Sequence, residues 1–141
     1  MSKFSAFLAE NVEKIENKKV VISKRFKDEK GNPVEWEIRA ISSEENDDLQ
    51  RRAMVTVPVV GQRGARTREL DQIKYVNLLL TASVVFPDLN DAELQDSYKV
   101  KTPEALLKRM LYGKEEEVLA KEVMALSDIE DLDTLTKEAK N

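Results

Sequence analysis

The side chains of this chain that could carry chemistry are carboxylates and arginines. The chain has 141 residues with 27 acidic and 23 basic side chains, and it contains no histidine and no cysteine. Thiol nucleophiles, disulfides and thiolate zinc sites therefore have no residues to form them. Histidine, the commonest general base and the commonest metal ligand in proteins, is absent as well. The remaining candidates are clustered acids and clustered arginines.

The acidic residues form two clusters, each at the predicted start of a helix. One cluster is Glu44, Glu45, Asp47 and Asp48, and the other is residues 115–117. Acids at such positions favour the helix dipole and stay in contact with water. Neither cluster has the loop spacing and glycine turn of a divalent-ion site. We therefore predict no catalytic residue, no metal and no cofactor, and we expect a protein that is not an enzyme.

The arginines are concentrated in one stretch. Arg51, Arg52, Arg63, Arg66 and Arg68 place five positive charges within residues 51–68, and no acid lies among them. That density suffices for several phosphate contacts. However, no aromatic side chain is interleaved for base stacking, and the whole chain has a net charge of −4. A solvated loop, or a latch for the acidic C-terminal residues, explains the arginines better than a nucleic-acid-binding regulator does.

Hydrophobic periodicity predicts a helix-rich α+β domain with one N-terminal β-hairpin packed on helices. Residues 2–15 repeat apolar side chains at helical spacing, which predicts a first helix. Residues 19–27 and 34–40 alternate apolar and polar side chains around the turn Gly31-Asn32-Pro33, which predicts a hairpin. Helices are then predicted at residues 42–52 and 71–86, followed by a short helix after Pro87 and further helices from Thr102 and from Lys114.

Residues 1–126 are predicted to form a single domain, interrupted by a mobile basic loop at about residues 54–70. The loop prediction rests on Pro58, Gly61 and Gly64, which break the periodic pattern. Residues 127–141 are acidic and only weakly periodic, and we expect a weakly ordered tail. No signal peptide and no membrane-length apolar run is present in the sequence. We therefore expect a soluble intracellular protein without a membrane partner.

The late helices offer the only apolar surface that the sequence suggests for a protein partner. Their apolar side chains fit a core, but they also fit a surface that binds a partner helix, where methionine supplies adaptable contacts. Both interpretations stay open at this stage. The candidate partner-binding residues are Leu106, Leu107, Met110, Leu111, Leu119 and Met124.

Several segments, taken in order, resemble the XkdN-like phage tail assembly chaperones. In the first half these are residues 21–28, the turn at 31–33, and residues 36–41 and 43–46. In the second half they are residues 86–89, 91–98 and 106–111. The resemblance spans residues 20–126. One departure is Lys114, which separates Gly113 from Glu115 where the family tends to have a Gly-Glu pair.

The resemblance implies a small protein of a phage or prophage that acts by holding a partner rather than by catalysis. Such chaperones bind the long apolar tape-measure protein and keep it soluble while tail tube subunits assemble around it. Competition from the tail tube protein would release the partner. The resemblance also implies a location in the cytoplasm of the bacterial host and absence from the mature virion. The alternatives are a minor structural tail component and the nucleic-acid-binding regulator.

Overall fold

The computed structural model describes residues 3–129, in which three β-strands and five α-helices surround one hydrophobic core and a two-stranded hairpin stands beside it. The strands of the first sheet are β1 (Lys18–Val20), β2 (Trp36–Ile38) and β5 (Val84–Phe86), and the hairpin strands are β3 (Met54–Pro58) and β4 (Arg66–Leu70). The helices are α1 (Ser43–Arg52), α2 (Gln72–Ser83), α3 (Ala92–Ser97), α4 (Pro103–Met110) and α5 (Gly113–Ser127). The α+β prediction is confirmed.

The predicted N-terminal helix is wrong. Within residues 3–17 the only regular element is one 3₁₀ turn at Ser5–Phe7. Its apolar residues stay exposed and none belongs to the hydrophobic core. A short amphipathic helix is marginal in water unless its apolar stripe packs on something. Here the stripe packs on no part of the core, so helical spacing alone does not produce a helix.

The first hairpin forms as predicted but is shorter, and it gains a third strand. Strand β1 pairs antiparallel with β2, with Val20 opposite Trp36, and Lys27 pairs with Pro33 beside the turn where Gly31 has a φ of +83°. The unpredicted strand β5 pairs with the other edge of β2. Sheet order is therefore β1-β2-β5, with β2 in the centre.

Helix α2 is shorter than the predicted helix at residues 71–86, because its last residues join the sheet. The side chain of Asp71 accepts a hydrogen bond from the Lys74 amide and caps the helix, which ends at Ser83. Two consecutive valines favour an extended backbone, and Phe86 precedes a proline, which disfavours helical geometry there. The buried Ser83 hydroxyl donates to the carbonyl oxygen of Arg39 at 2.6 Å. Because Arg39 directly follows β2, this hydrogen bond joins the end of α2 to the end of that strand.

Residues 54–70, which the sequence predicted as a loop, instead form the β3–β4 hairpin. The two strands pair antiparallel, with Thr56 opposite Arg68. The bend between them uses Gly61 and Gly64, whose φ angles of +81° and +80° are ones that L side chains rarely adopt. In the sequence, Pro58, Gly61 and Gly64 indicated irregular structure. In the structure, Pro58 is the last residue of β3, and the two glycines lie in the turn.

The remaining helices start close to their predicted positions. The Ser42 hydroxyl accepts from the Glu45 amide at the start of α1, and the Thr102 hydroxyl accepts from the Ala105 amide at the start of α4. Helix α5, predicted from Lys114, begins one residue earlier at Gly113. The tail predicted at residues 127–141 lies outside the described residues except for its first three. Of these, Ser127 ends α5 and Asp128 caps it in the left-handed conformation.

Helix α2 supplies a direct test of which apolar residues hold the core. Leu80 is fully buried, whereas Ile73 of the same helix is 73% exposed. We expect Leu80→Ala to lower the free energy of unfolding by about 2–5 kcal/mol, because it removes buried methyl groups and leaves a cavity. Ile73→Ala should change it by less than about 0.5 kcal/mol. Urea denaturation of both variants measures the difference, and equal losses would contradict this assignment of the core.

Candidate partner-binding surface

The structure places the sequence-predicted partner residues in the core. Leu106 and Leu119 are fully buried, and Leu107, Met110 and Leu111 are each less than a tenth exposed. Met124 is half-buried and packs against the same core. Helix α4 lies against α2, where the Asn77 amide donates to the Glu104 carbonyl oxygen at 3.2 Å. In this conformation these side chains mainly pack the core, although Met110 also reaches the surface groove described next.

An apolar groove on the surface offers a partner accessible apolar side chains, which the buried helix faces do not. It has a volume of about 380 Å³ and runs between the first hairpin and helices α3 and α4. Strand β2 contributes Trp36, which is only 2% exposed and whose ring centroid lies 5.8 Å from that of Phe26. Cationic side chains of Arg25 and Lys27 stand at the groove as well. Its apolar lining is Phe26, Val34, Trp36, Phe86, Pro87, Leu94, Tyr98 and Met110.

Phe86 is the most accessible part of this surface. Its side chain is 52% exposed, and that of its neighbour Val85 is 41% exposed. Both lie on β5, which is an edge strand of the sheet. The sequence pattern placed Phe86 in the predicted helix at residues 71–86, because the apolar stripe of α2 continues through it. The signal that could have found it is Pro87, since the residue before a proline favours the extended conformation of a strand.

Arg25 holds the two walls of the groove together. Its guanidinium donates to both carboxylate oxygens of Glu115, at 2.8 and 2.6 Å, and to the Met110 carbonyl oxygen at 2.9 Å. The same group lies over the rings of Phe26 and Tyr112, 5.0 and 4.8 Å from their centroids. The segment after β1 is thereby joined to the corner between α4 and α5.

The Arg25–Glu115 ion pair shifts the pKa of both partners. Hydrogen bonds from Arg25 are the largest cause that lowers the pKa of Glu115 to about 2, and the Ser23 side chain and the Tyr112 amide add to the effect. The pKa of Arg25 is raised, chiefly by the same hydrogen bonds. The carboxylate is therefore charged throughout the physiological range, and the pair is a fixed structural tie rather than a proton-transfer group.

The pair predicts a specific pH dependence of stability. The pKa of Glu115 is about 2 in the folded protein, and its unperturbed value is 4.5. The contribution of this carboxylate to stability is therefore complete above pH 4.5 and is lost as the pH falls through about 2. Glu115→Gln should therefore destabilise the protein most above pH 4.5, and the difference from the unaltered protein should shrink toward pH 2. Urea denaturation in steps of pH measures it.

Glu29→Gln is the matched control for this experiment. Glu29 is exposed and takes part in no ion pair among residues 3–129. Its variant should unfold like the unaltered protein at every pH. A difference for Glu115→Gln that stayed constant from pH 7 to pH 2 would show that the lost stability does not come from the charge of that carboxylate.

The arginines singled out in the sequence lie on the β3–β4 hairpin and just before it. Arg63 is in the connection between the strands, and Arg66 and Arg68 are on β4; all three are exposed. A shallow recess of about 450 Å³ lies at the tip of the hairpin, beside Arg63 and Arg66. It has no aromatic lining, so it offers no base-stacking platform.

The described part of the chain holds no grouping suited to metal chemistry. Across residues 3–129, no three His, Cys, Asp or Glu side chains lie close enough together to hold a metal ion. Among the acids of α1, Glu45 forms an ion pair: its carboxylate accepts hydrogen bonds from the Arg39 guanidinium at 2.9 and 2.7 Å, which lowers the pKa of Glu45. Within the same residues, no helix is both long and apolar enough to cross a lipid bilayer.

A surface with an apolar groove and no clustered catalytic groups in the described residues is typical of a protein that binds other proteins, and comparison with known proteins defines the class. The family model of the phage XkdN-like tail assembly chaperone protein matches residues 4–140. The chain therefore belongs to the XkdN-like phage tail assembly chaperone family, as its sequence segments had indicated.

Individual relatives agree with this assignment. The chain is 31% identical over 139 residues to the phage-like element PBSX protein XkdN of Bacillus subtilis, which covers 97% of this chain and 93% of that protein. It is also 31% identical over 139 residues to the uncharacterised protein YqbN of the same organism. The crystal structure of YqbN superposes with a TM-score of 0.75 over 92% of this chain and 99% of that one, at 24% identity, and it shows the same fold.

Proposed function

We propose that this protein is a non-catalytic chaperone that binds the tape-measure protein of a phage or prophage tail and keeps it soluble while the tail tube assembles. The observation that carries the proposal is the family match over residues 4–140. The chaperone would work in the cytoplasm of the bacterial host, and tail tube subunits would release the tape-measure protein by competing for it.

The apolar groove is our candidate for the binding site. Phe86 and Tyr98 both line it, and Trp36, which is only 2% exposed, forms its floor. A helix with apolar side chains on one face could insert one or two of them into about 380 Å³, which is the helix-in-groove mode of recognition. The Arg25–Glu115 tie keeps the two walls in place, so the groove is formed before the partner arrives.

Co-expression tests the proposal directly. A fragment of the tape-measure protein that is insoluble alone should become soluble when this chain is co-expressed. Phe86→Ser should lose most of that effect, because it removes the most exposed apolar side chain of the groove. Val60→Ser is the matched control, since Val60 is 99% exposed at the tip of the other hairpin. A fragment that stays insoluble with and without the chain would contradict the proposed function.

The chain also carries a built-in reporter of groove occupancy. Trp36 is its only tryptophan, and it lies at the floor of the groove against Phe26. Titration with a soluble tape-measure peptide should shift the tryptophan emission of the unaltered protein and of Val60→Ser. Solubilisation without any change in emission would keep the chaperone activity but place the binding site elsewhere.

A chaperone that is released before tail completion should be absent from finished particles. Mass spectrometry of purified phage or prophage particles is expected to detect tail proteins but not this polypeptide. The control is the lysate of the same induced cells, in which the chain must be detected. Stoichiometric amounts in the particles would favour the alternative, a minor structural component of the tail.

A further inference from the structure

The β3–β4 hairpin presents a positive surface that the rest of the described chain does not neutralise. In the register of the two strands, Thr56 is opposite Arg68 and Pro58 is opposite Arg66, so both arginines share one face. Residues on one face of a strand are spaced two apart, or about 7 Å. Arg63 follows in the connection at the tip. This set of Arg63, Arg66 and Arg68 is called the arginine face below.

Five other cations of the described residues are paired with carboxylates, whereas the arginines of the arginine face are not. Five ion pairs join Lys18, Arg25, Arg39, Lys108 and Lys121 to carboxylates. None of the three arginines of the arginine face takes part in those pairs, and none of their side chains donates a hydrogen bond within residues 3–129. Like charges on one strand face repel each other, so this arrangement is costly for the isolated hairpin and favourable once an anion is bound.

The hairpin also lacks neighbours along its strands. It forms a sheet of two strands only, so each strand has one edge without a partner strand in the described part of the chain. Every residue of β4 except Leu70 is exposed. An isolated two-stranded hairpin is only marginally stable in water, and an open edge is a template for another extended chain.

We propose that the arginine face is a docking surface for an acidic polypeptide segment that lies extended along the open edge of β4. Alternate side chains of an extended segment are about 7 Å apart, which matches the spacing of Arg66 and Arg68. Opposite charges on neighbouring strands stabilise each other, and the backbone of the segment would pair with the edge. This surface is separate from the groove and does not depend on the proposed function.

A polypeptide fits this surface better than a nucleic acid does. Residues 54–70 contain no aromatic side chain that could serve as a base-stacking platform. The net charge of −4 would also repel a long polyanion from the rest of the molecule. A short acidic segment needs only the arginines and the strand edge.

Fluorescence anisotropy with labelled synthetic probes tests the proposal. The probe is a peptide of about twelve residues that alternates Thr and Glu, and its control alternates Thr and Gln; a short DNA duplex is the third probe. The unaltered full chain should bind the Thr-Glu peptide, more weakly as salt is raised, and should bind the Thr-Gln peptide about tenfold more weakly or worse. The duplex should bind more weakly than the Thr-Glu peptide at the same ionic strength.

Variants assign the binding to the arginine face. Replacing Arg63, Arg66 and Arg68 together by Gln should weaken Thr-Glu binding about tenfold or more, whereas replacing all three by Lys should retain most of it. The matched control is Lys24→Gln, Lys30→Gln and Lys101→Gln together, which removes the same charge from exposed residues that form no ion pair within residues 3–129. This control should bind like the unaltered chain.

Three results would overturn the proposal. The first is equal binding of the Thr-Glu and Thr-Gln peptides. The second is an equal loss of binding when the three arginines are replaced by Gln and when the three control lysines are replaced by Gln. The third is tighter binding of the DNA duplex than of the acidic peptide. The last would assign the surface to nucleic acid instead. The peptide comparison and its salt dependence are measured on the unaltered protein, so they decide the question even if a variant fails to fold.

Discussion

Burial of helix α2 is the constraint on which the rest of the structure depends. This helix contacts α1, α4, α5 and strand β5, and both Leu79 and Leu80 are fully buried within it. Complete burial of one leucine side chain contributes about 1.5–3 kcal/mol. Because three helices pack on α2, their apolar faces are buried in this shared core. Exposed apolar side chains lie outside this packing, as at the groove and on β5, where Phe86 is 52% exposed.

The elements that depend on local pattern could be predicted from the sequence, and those that depend on distant partners could not. Helix α1 has its cap at Ser42, and the first hairpin has its turn at Gly31; both signals are local. Strand β5 continues the apolar stripe of α2, so only its pairing with β2, nearly fifty positions earlier, makes it a strand. In the N-terminal segment the local pattern predicted a helix that does not form, because its apolar residues are not part of the hydrophobic core.

The candidate site was harder to predict than the fold for the same reason. Leu107 and Met110 have the residue types of a binding surface, yet core and interface use the same apolar side chains. Their burial against the rest of the fold, which includes the packing of α4 on α2, is not visible in the sequence pattern. The groove in turn combines side chains from four separate parts of the chain, and no motif in the sequence brings Phe26, Phe86 and Tyr98 together.

The order of the strands in the sheet has a consequence for synthesis on the ribosome. The central strand β2 is made early, but one of its two neighbours, β5, follows only after α1, the β3–β4 hairpin and α2. The groove is closed later still, when Met110 emerges and Glu115 becomes available to Arg25. Nascent chains that stop before α4 would have the floor of the groove without its second wall. A partner that binds through the groove, as proposed above, would then meet a complete groove only on chains translated at least through Glu115.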